Sequence, residues 1–230
     1  MQITKEWLEE KSACRCGRNW FLQNFPDGGE YQGVLDKLAS DGRDDWASWL
    51  LEKAGPTKAI LEVKGNLEIK GSLFFAGCIK VAGFIKIAKR LVSGSGIKAG
   101  EGIKAGEGIE AGEGIKAGWG IKAGWGIEAG WGIEAGSGIE AGEGIEAGEG
   151  IEAGEGIKAG WGIEAGEGIK AGSGIEAGWG IEAGEGIEAG EDFGIYAGIS
   201  IRISNKAEYA VVIAKTLPDN LLLGTFRPIE

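Results

Sequence analysis

The side chains in this chain whose type and spacing could do chemistry are carboxylates. Glu110, Glu113, Glu128, Glu146, Glu149, Glu164, Glu167, Glu182 and Glu185 recur at steps of 18 residues, and Trp131 takes one place in the same series. Neighbouring carboxylates can share acid and base roles only where their surroundings separate their pKa values. A regular series offers each the same surroundings. The chain has no histidine, which removes the commonest general base and the commonest metal ligand. Cys14, Cys16 and Cys78 are odd in number, and two lie one residue apart, a poor disulfide framework and a poor zinc set. No G-x-x-x-x-G-K-[ST] phosphate loop occurs. The expectation is therefore a chain that is not an enzyme and holds no metal and no cofactor. What a periodic array of carboxylates can do is meet positive charge on a partner.

The positions of these residues follow from a period. Starting at Leu61 and stepping by six, an apolar residue occurs 24 times in succession, through Leu67, Leu73, Ile79, Ile85, Leu91 and Ile97 to Ile187, Phe193 and Ile199. Two residues after the anchor the side chain is apolar again, as in Val63, Ile69, Phe75, Val81 and Ile87, and from Ala99 onward it is Ala in every array repeat. Apolar residues at i and i+2 with a polar one between describe a short strand with one face inward. The Gly-x-Gly that follows suits a corner, since glycine tolerates the backbone angles of a tight bend. Three such sides make an 18-residue triangular coil. About eight coils at roughly 4.8 Å each give a rod on the order of 38 Å long.

The expected organisation is mainly β, a β-solenoid between an α-helical head and a C-terminal β cap. The head covers residues 1–56, the β-helix residues 57–199 with its most regular GI[EK]AG[EWS] array over 96–191, and the cap residues 200–230. In the head, "ITKEWLEEKS" has Thr4 as N-cap, and "RDDWASWLLEKAGP" has Asp44 or Asp45 as cap and Gly55-Pro56 as stop. After Ile199, "ISIRIS", "EYAVVIAKT" and "NLLLGTFRP" read as strands and "LPDN" as a turn. End coils need covering against edge-to-edge addition, and these flanking segments are positioned to cover them.

Charge is unevenly spread. The formal net charge is −11, and residues 97–192 hold 20 acidic groups against 6 Lys, or −14, leaving +3 for the remainder. Such a chain is not expected to bind nucleic acid or anionic membranes directly. No apolar run reaches the roughly 18 residues of a membrane span, and "MQITKEWLEEK" is too charged for a signal peptide. The expected location is the cytoplasm, with its cysteines reduced.

Sorted by 18, the array separates into faces. One carries the nine glutamates named above with Trp131 and no Lys. A second carries Trp125, Trp161 and Trp179 with Lys104, Lys122 and Lys158, and a third is mixed, with Trp119, Ser137 and Ser173. Large apolar groups at outward positions mark contacts, and Trp is a favoured interface anchor. The candidate partner-binding residues are the Lys-free glutamates, Trp131, and Trp125, Trp161 and Trp179.

The pattern in "LEVKGNLEIKG", extended over roughly residues 60–200, resembles bactofilins, polymerising β-helix proteins. That resemblance implies a right-handed triangular β-helix and brings self-association into view. The layout as a whole, with "EWLEE…C…WF", "DWASWLL", "GIKAGEGIKAGEG" and "GIYAGISIRIS", is similar to phage and prophage proteins, which implies a mobile-element setting, hence a host-cell cytoplasm. Hexapeptide acyltransferases place a small residue two before the anchor and use a histidine. Ice-binding solenoids need ladders of Thr, which here occurs only at residues 4, 57, 216 and 225. Neither fits. The functional expectation is an interaction protein binding a basic protein, such as a host nucleic-acid-binding protein of a defence system, by mimicry of DNA or by occlusion. The alternative is a scaffold that self-associates through its head, its cap or its Trp-bearing face.

Overall fold

A computed structural model describes residues 1–199 and 210–229 of the chain. The head holds four helices, α1, Lys5–Glu10; α2, Arg15–Asn24; α3, Tyr31–Ser40; and α4, Asp44–Ala54, with a short antiparallel pair of strands, Gln2–Ile3 and Gly29–Glu30. The Thr4 hydroxyl accepts from the Trp7 amide at 3.3 Å, capping α1 as its sequence predicts. The cap expected of Asp44 or Asp45 does not form. Arg43 is the N-cap residue, without a side-chain bond, and both aspartates lie in the first turn of α4. Asp44 instead accepts from the Ser72 hydroxyl at 2.5 Å, so a residue expected to start a helix fastens that helix to the strands beyond. Gly55, at φ 76°, ends α4 in the left-handed region that favours glycine.

From Ile60 the chain is a parallel β-solenoid with coils of about 18 residues. Three sheets form, a first face of eight strands and second and third faces of nine each. This gives about nine coils, one more than the period suggests, because strands beyond Ala197 join the stack. Register is strict: Ile109 lies against Ile127, Glu110 against Glu128 and Ala111 against Ala129. The same pairing recurs along the array, where each strand reads buried, outward, buried. The core is a continuous column of Ile and Ala, and each buried Ile contributes about 2 kcal/mol of burial free energy. Successive coils also share backbone bonds at their corners, such as Ile115 N to Gly132 O at 3.0 Å and Gly118 N to Ala99 O at 3.1 Å. Stability therefore accumulates between neighbouring coils.

Two expectations about this register are corrected. The six-residue step holds through Ile187 and then breaks. Ile195, not Phe193, lies against Ile175, two residues later than the 18-residue spacing predicts. The extra residues form a turn in which Phe193 N bonds Gly190 O at 2.9 Å, and Phe193 and Ile199 end up outside the core, at 49% and 44% exposure. A step of six finds apolar residues at both positions by coincidence of type. The corner glycines are also not there for backbone freedom. The positive-φ glycines are Gly28, Gly42, Gly55, Gly198 and Gly224, none in the array. The first glycine of each corner is instead pressed against the coil before it. A Cβ on Gly142 would stand 2.0 Å from the carbonyl oxygen of Gly124, whereas one on Gly144 would meet only Gly162 O, at 3.6 Å.

The head lies on a side of the rod. Phe74 and Val92 point outward from the third face, at positions that carry Glu farther along, and they join Ala76 in the core of the head with Tyr31, Val34, Leu35, Leu38 and Leu50. The Gln32 amide donates to Phe74 O at 2.8 Å and accepts from Ala76 N at 2.9 Å, locking α3 to the strand Leu73–Phe75. The inward side chains of the first coil, Leu61, Val63, Leu67, Ile69, Leu73 and Phe75, stay only partly buried. At the other end, the strands Val211–Ala214, Leu221–Leu223 and Thr225–Pro228 run parallel to their neighbours and extend the second and third faces. The strand expected in "ISIRIS" lies, from residue 200 on, outside the described residues.

Candidate binding face

The third face is built from the strands Ile109–Ala111, Ile127–Ala129, Ile145–Ala147, Ile163–Ala165 and Ile181–Ala183, stacked in register. Because Ile and Ala turn inward, the residue between them must turn outward. Glu110, Glu128, Glu146, Glu164 and Glu182 therefore form one unbroken column. Stacking puts them about 4.8 Å apart along the axis. Glu113, Trp131, Glu149, Glu167 and Glu185 occupy the corner leading to the first face. Trp125, Trp161 and Trp179 occupy the opposite corner, interleaved with Glu107 and Glu143.

That placement amends the sequence reading, which assigned the three Trp to the Lys-bearing second face. They stand at the edge between the two faces and line one groove with Arg90, Glu110, Glu128, Glu146 and Glu164, of about 660 Å³. Each is at least half exposed, as is Trp131 across the face. Trp161 and Trp179 stack with centroids 6.5 Å apart at 29°. All the candidates thus converge on one face and its two corners.

The other two faces show why this one differs. Their outward positions hold both signs: some steps stack like charges, such as Lys98 on Lys116 and Lys104 on Lys122, and where the sign changes the charges pair. Lys116 meets Glu134 at 2.5 Å and Lys122 meets Glu140 at 2.6 Å, while Lys158–Glu176 and Lys170–Glu188 lie at 3.1 and 3.4 Å. A larger groove of about 1200 Å³ runs along the second face, but its Lys122 and Lys158 already face Glu140 and Glu176. On the third face no outward strand position among the described residues holds a Lys. Among the described residues, ion pairs reach only the ends of the strip, where Arg90 bonds Glu110 and Lys215 lies 3.7 Å from Glu185. No ion pair among the described residues reaches Glu128, Glu146 or Glu164.

Electrostatics register this crowding. Partial burial first, and then the charges of Glu110 and Glu146, push the Glu128 carboxyl above its ordinary value of 4.5. Burial and then Glu146 and Glu182 do the same for Glu164. An acid with a higher pKa in the folded than in the unfolded chain favours the fold while it is protonated. That contribution is complete below about 4.5 and is lost as pH rises through the folded values. The rod is therefore expected to gain thermal stability on acidification from pH 7 toward the window just above 4.5. A Glu128→Gln/Glu164→Gln variant should show a smaller gain, and melting curves taken across pH check this.

The sequence reading missed Arg90. It reaches Glu110, lies 4.0 Å from Asp45 of the head, and stands over the Phe74 ring at 5.7 Å, so it closes the strip where the head begins. The available signal was Phe74 and Val92, apolar residues at outward positions that elsewhere carry charge. The three cysteines are free thiols, and no cluster among the described residues could hold a metal. No described helix is long and apolar enough to cross a membrane.

Comparison with known proteins touches the head alone. The family model described as the YdhT N-terminal domain matches residues 1–55, and the solenoid lies outside that match. It bears on neither the bactofilin likeness nor the phage one. No curated protein and no solved structure matches the chain.

Proposed function

We propose that this chain is a non-enzymatic interaction protein whose third face binds a basic protein where that protein would otherwise hold nucleic acid. The observation that carries this reading is the unbroken column of five Glu on the third face, beside faces where the same position carries both signs and several steps form Lys–Glu pairs. Stacked like charges are unfavourable, and the other faces show that the fold accepts the remedy. The third face forgoes it.

Charge density supports a nucleic-acid-like surface. Over five coils the column and its two corners carry Glu107, Glu110, Glu113, Glu128, Glu143, Glu146, Glu149, Glu164, Glu167, Glu182 and Glu185. At ~4.8 Å per coil this is on the order of one charge per 2 Å, against one per ~1.7 Å of duplex DNA. The layout's similarity to phage and prophage proteins favours a host nucleic-acid-processing defence complex as the target, inhibited by mimicry or occlusion. Replacing Glu128, Glu146 and Glu164 by Lys tests the reading: in a folded protein it should abolish capture of the basic partner, and unchanged capture would refute it.

A second reading is a scaffold associating end to end. The partly exposed core residues of the first coil, and exposed Phe193, Leu217 and Leu222 near the other end, favour it. Short discrete particles in electron micrographs at high protein concentration would count against it.

A further inference from the structure

We infer that the element of the partner seated on the third face is an arginine-bearing α-helix lying along the rod axis. This rests on the reading that the face binds a basic protein, and adds which secondary structure and which cation it takes.

Pitch selects the secondary structure. From Glu128 to Glu182 the column makes three steps, or ~14 Å at ~4.8 Å per step. Three turns of a helix cover ~16 Å, so a stripe of cations at i, i+4, i+7 and i+11 drifts by only ~2 Å, within the reach of flexible side chains. Same-side residues of a strand lie ~6.7 Å apart and would drift by ~6 Å. Width agrees, since a side of six residues spans ~20 Å at most and a helix with its side chains is ~11 Å across. The length is bounded as well. The head and Arg90 stand at one end, and Val211 and Ile213 follow Glu182 at the other.

The corners select the cation. Trp125 and Trp161 stand beside the Glu column with half their surface exposed, and Trp131 faces them across it. A planar guanidinium can lie on an indole while its N–H groups donate to a carboxylate, which an ammonium cannot match. The head of this molecule already contains such a pair, with the Arg43 guanidinium 4.8 Å from the centre of the Trp46 ring. Carboxylates near helical pitch beside a corner of indoles therefore fit arginine better than lysine.

The test titrates the full-length protein, at moderate salt, with four synthetic cationic peptides of equal charge. One is a stabilised helix with Arg in a single stripe, one the same helix with Lys, one with the Arg distributed around the helix, and one a strand-forming peptide with Arg at alternate positions. The Arg-stripe helix is expected to bind at least about tenfold tighter than the distributed and strand peptides, and several-fold tighter than the Lys stripe. Trp125→Ala/Trp161→Ala should erase the Arg–Lys difference while circular dichroism stays unchanged. Equal binding of striped and distributed helices, tighter binding of the strand peptide, or an Arg–Lys difference that survives the Trp substitutions overturns the inference. If those results appear while Glu128→Gln/Glu146→Gln/Glu164→Gln still abolishes peptide binding, the helix inference alone fails. If that triple variant, folded, binds every peptide as the parent does, the acidic-face reading fails with it.

Discussion

Gly142→Ala is expected to destabilise the rod by about 3 kcal/mol or more, while Gly144→Ala, two residues away, leaves it unchanged or slightly firmer. Both glycines belong to the same corner, and neither has the left-handed φ that would exclude a side chain. They differ in what lies beneath. A methyl on Gly142 would sit 2.0 Å from Gly124 O, a contact relieved only by separating two coils that share the Gly142 N to Ala123 O bond at 3.2 Å. A methyl on Gly144 would make an ordinary contact at 3.6 Å, and a Gly-to-Ala change at a compatible backbone position stabilises by about 0.5 kcal/mol through the unfolded chain. Thermal and denaturant melts of the two variants check this. A solenoid can open coil by coil, so hydrogen exchange at the amides flanking Gly124 and Gly142 is the sharper readout. Equal losses in the two variants would mean that the corners need glycine for its backbone after all.

The second large effect is an opposition between stability and binding at Glu146. Its ladder neighbours are Glu128 and Glu164. Glu146→Lys replaces two like-charged contacts with two of the kind seen at Lys116–Glu134 and Lys122–Glu140. The rod should become more stable by about 0.5–1 kcal/mol, with a rise in melting temperature that shrinks at high salt. Affinity for the basic partner should fall, and in the triple Glu128→Lys/Glu146→Lys/Glu164→Lys variant by more than about 100-fold, because each reversal places like charges face to face. A substitution that firms the fold and removes binding separates a functional surface from a solubilising one. If Glu146→Lys stabilised the rod and left binding intact, the acidic column would be a coat and nothing more.

Much of this architecture was legible because a solenoid makes local pattern and global fold the same statement. The i, i+2 alternation at Ile145 and Ala147 fixes which way Glu146 points, and the six-residue step fixes which Glu stands above it. The sequence failed where an element is set by something outside the repeat. Phe193 satisfies the step by residue type, yet the two inserted residues move the anchor to Ile195. Asp44 has the type of a cap, yet Ser72, far along the chain, claims it. The glycines were given the wrong cause, because a clash with the preceding coil is a fact of stacking that no single corner displays. At the candidate face the structure brings the expected residues together, but in a different grouping. Sorting by 18 assigns Trp125, Trp161 and Trp179 to the strand before them, whereas a corner residue borders the strand after it equally. Once that is recognised, the Trp and the Lys-free glutamates become one surface.

The measurement that bears most directly on the central claim is elution by competition. Proteins captured from a host lysate on the immobilised chain would be challenged with short duplex DNA and, separately, with the same ionic strength of simple salt. If the acidic face stands in for nucleic acid, duplex DNA releases basic nucleic-acid-binding proteins that the matched salt leaves bound, and a Glu128→Gln/Glu146→Gln/Glu164→Gln column never retains them. If the captured proteins ignore the DNA, or are held equally by the triple variant, the face is not a nucleic-acid mimic.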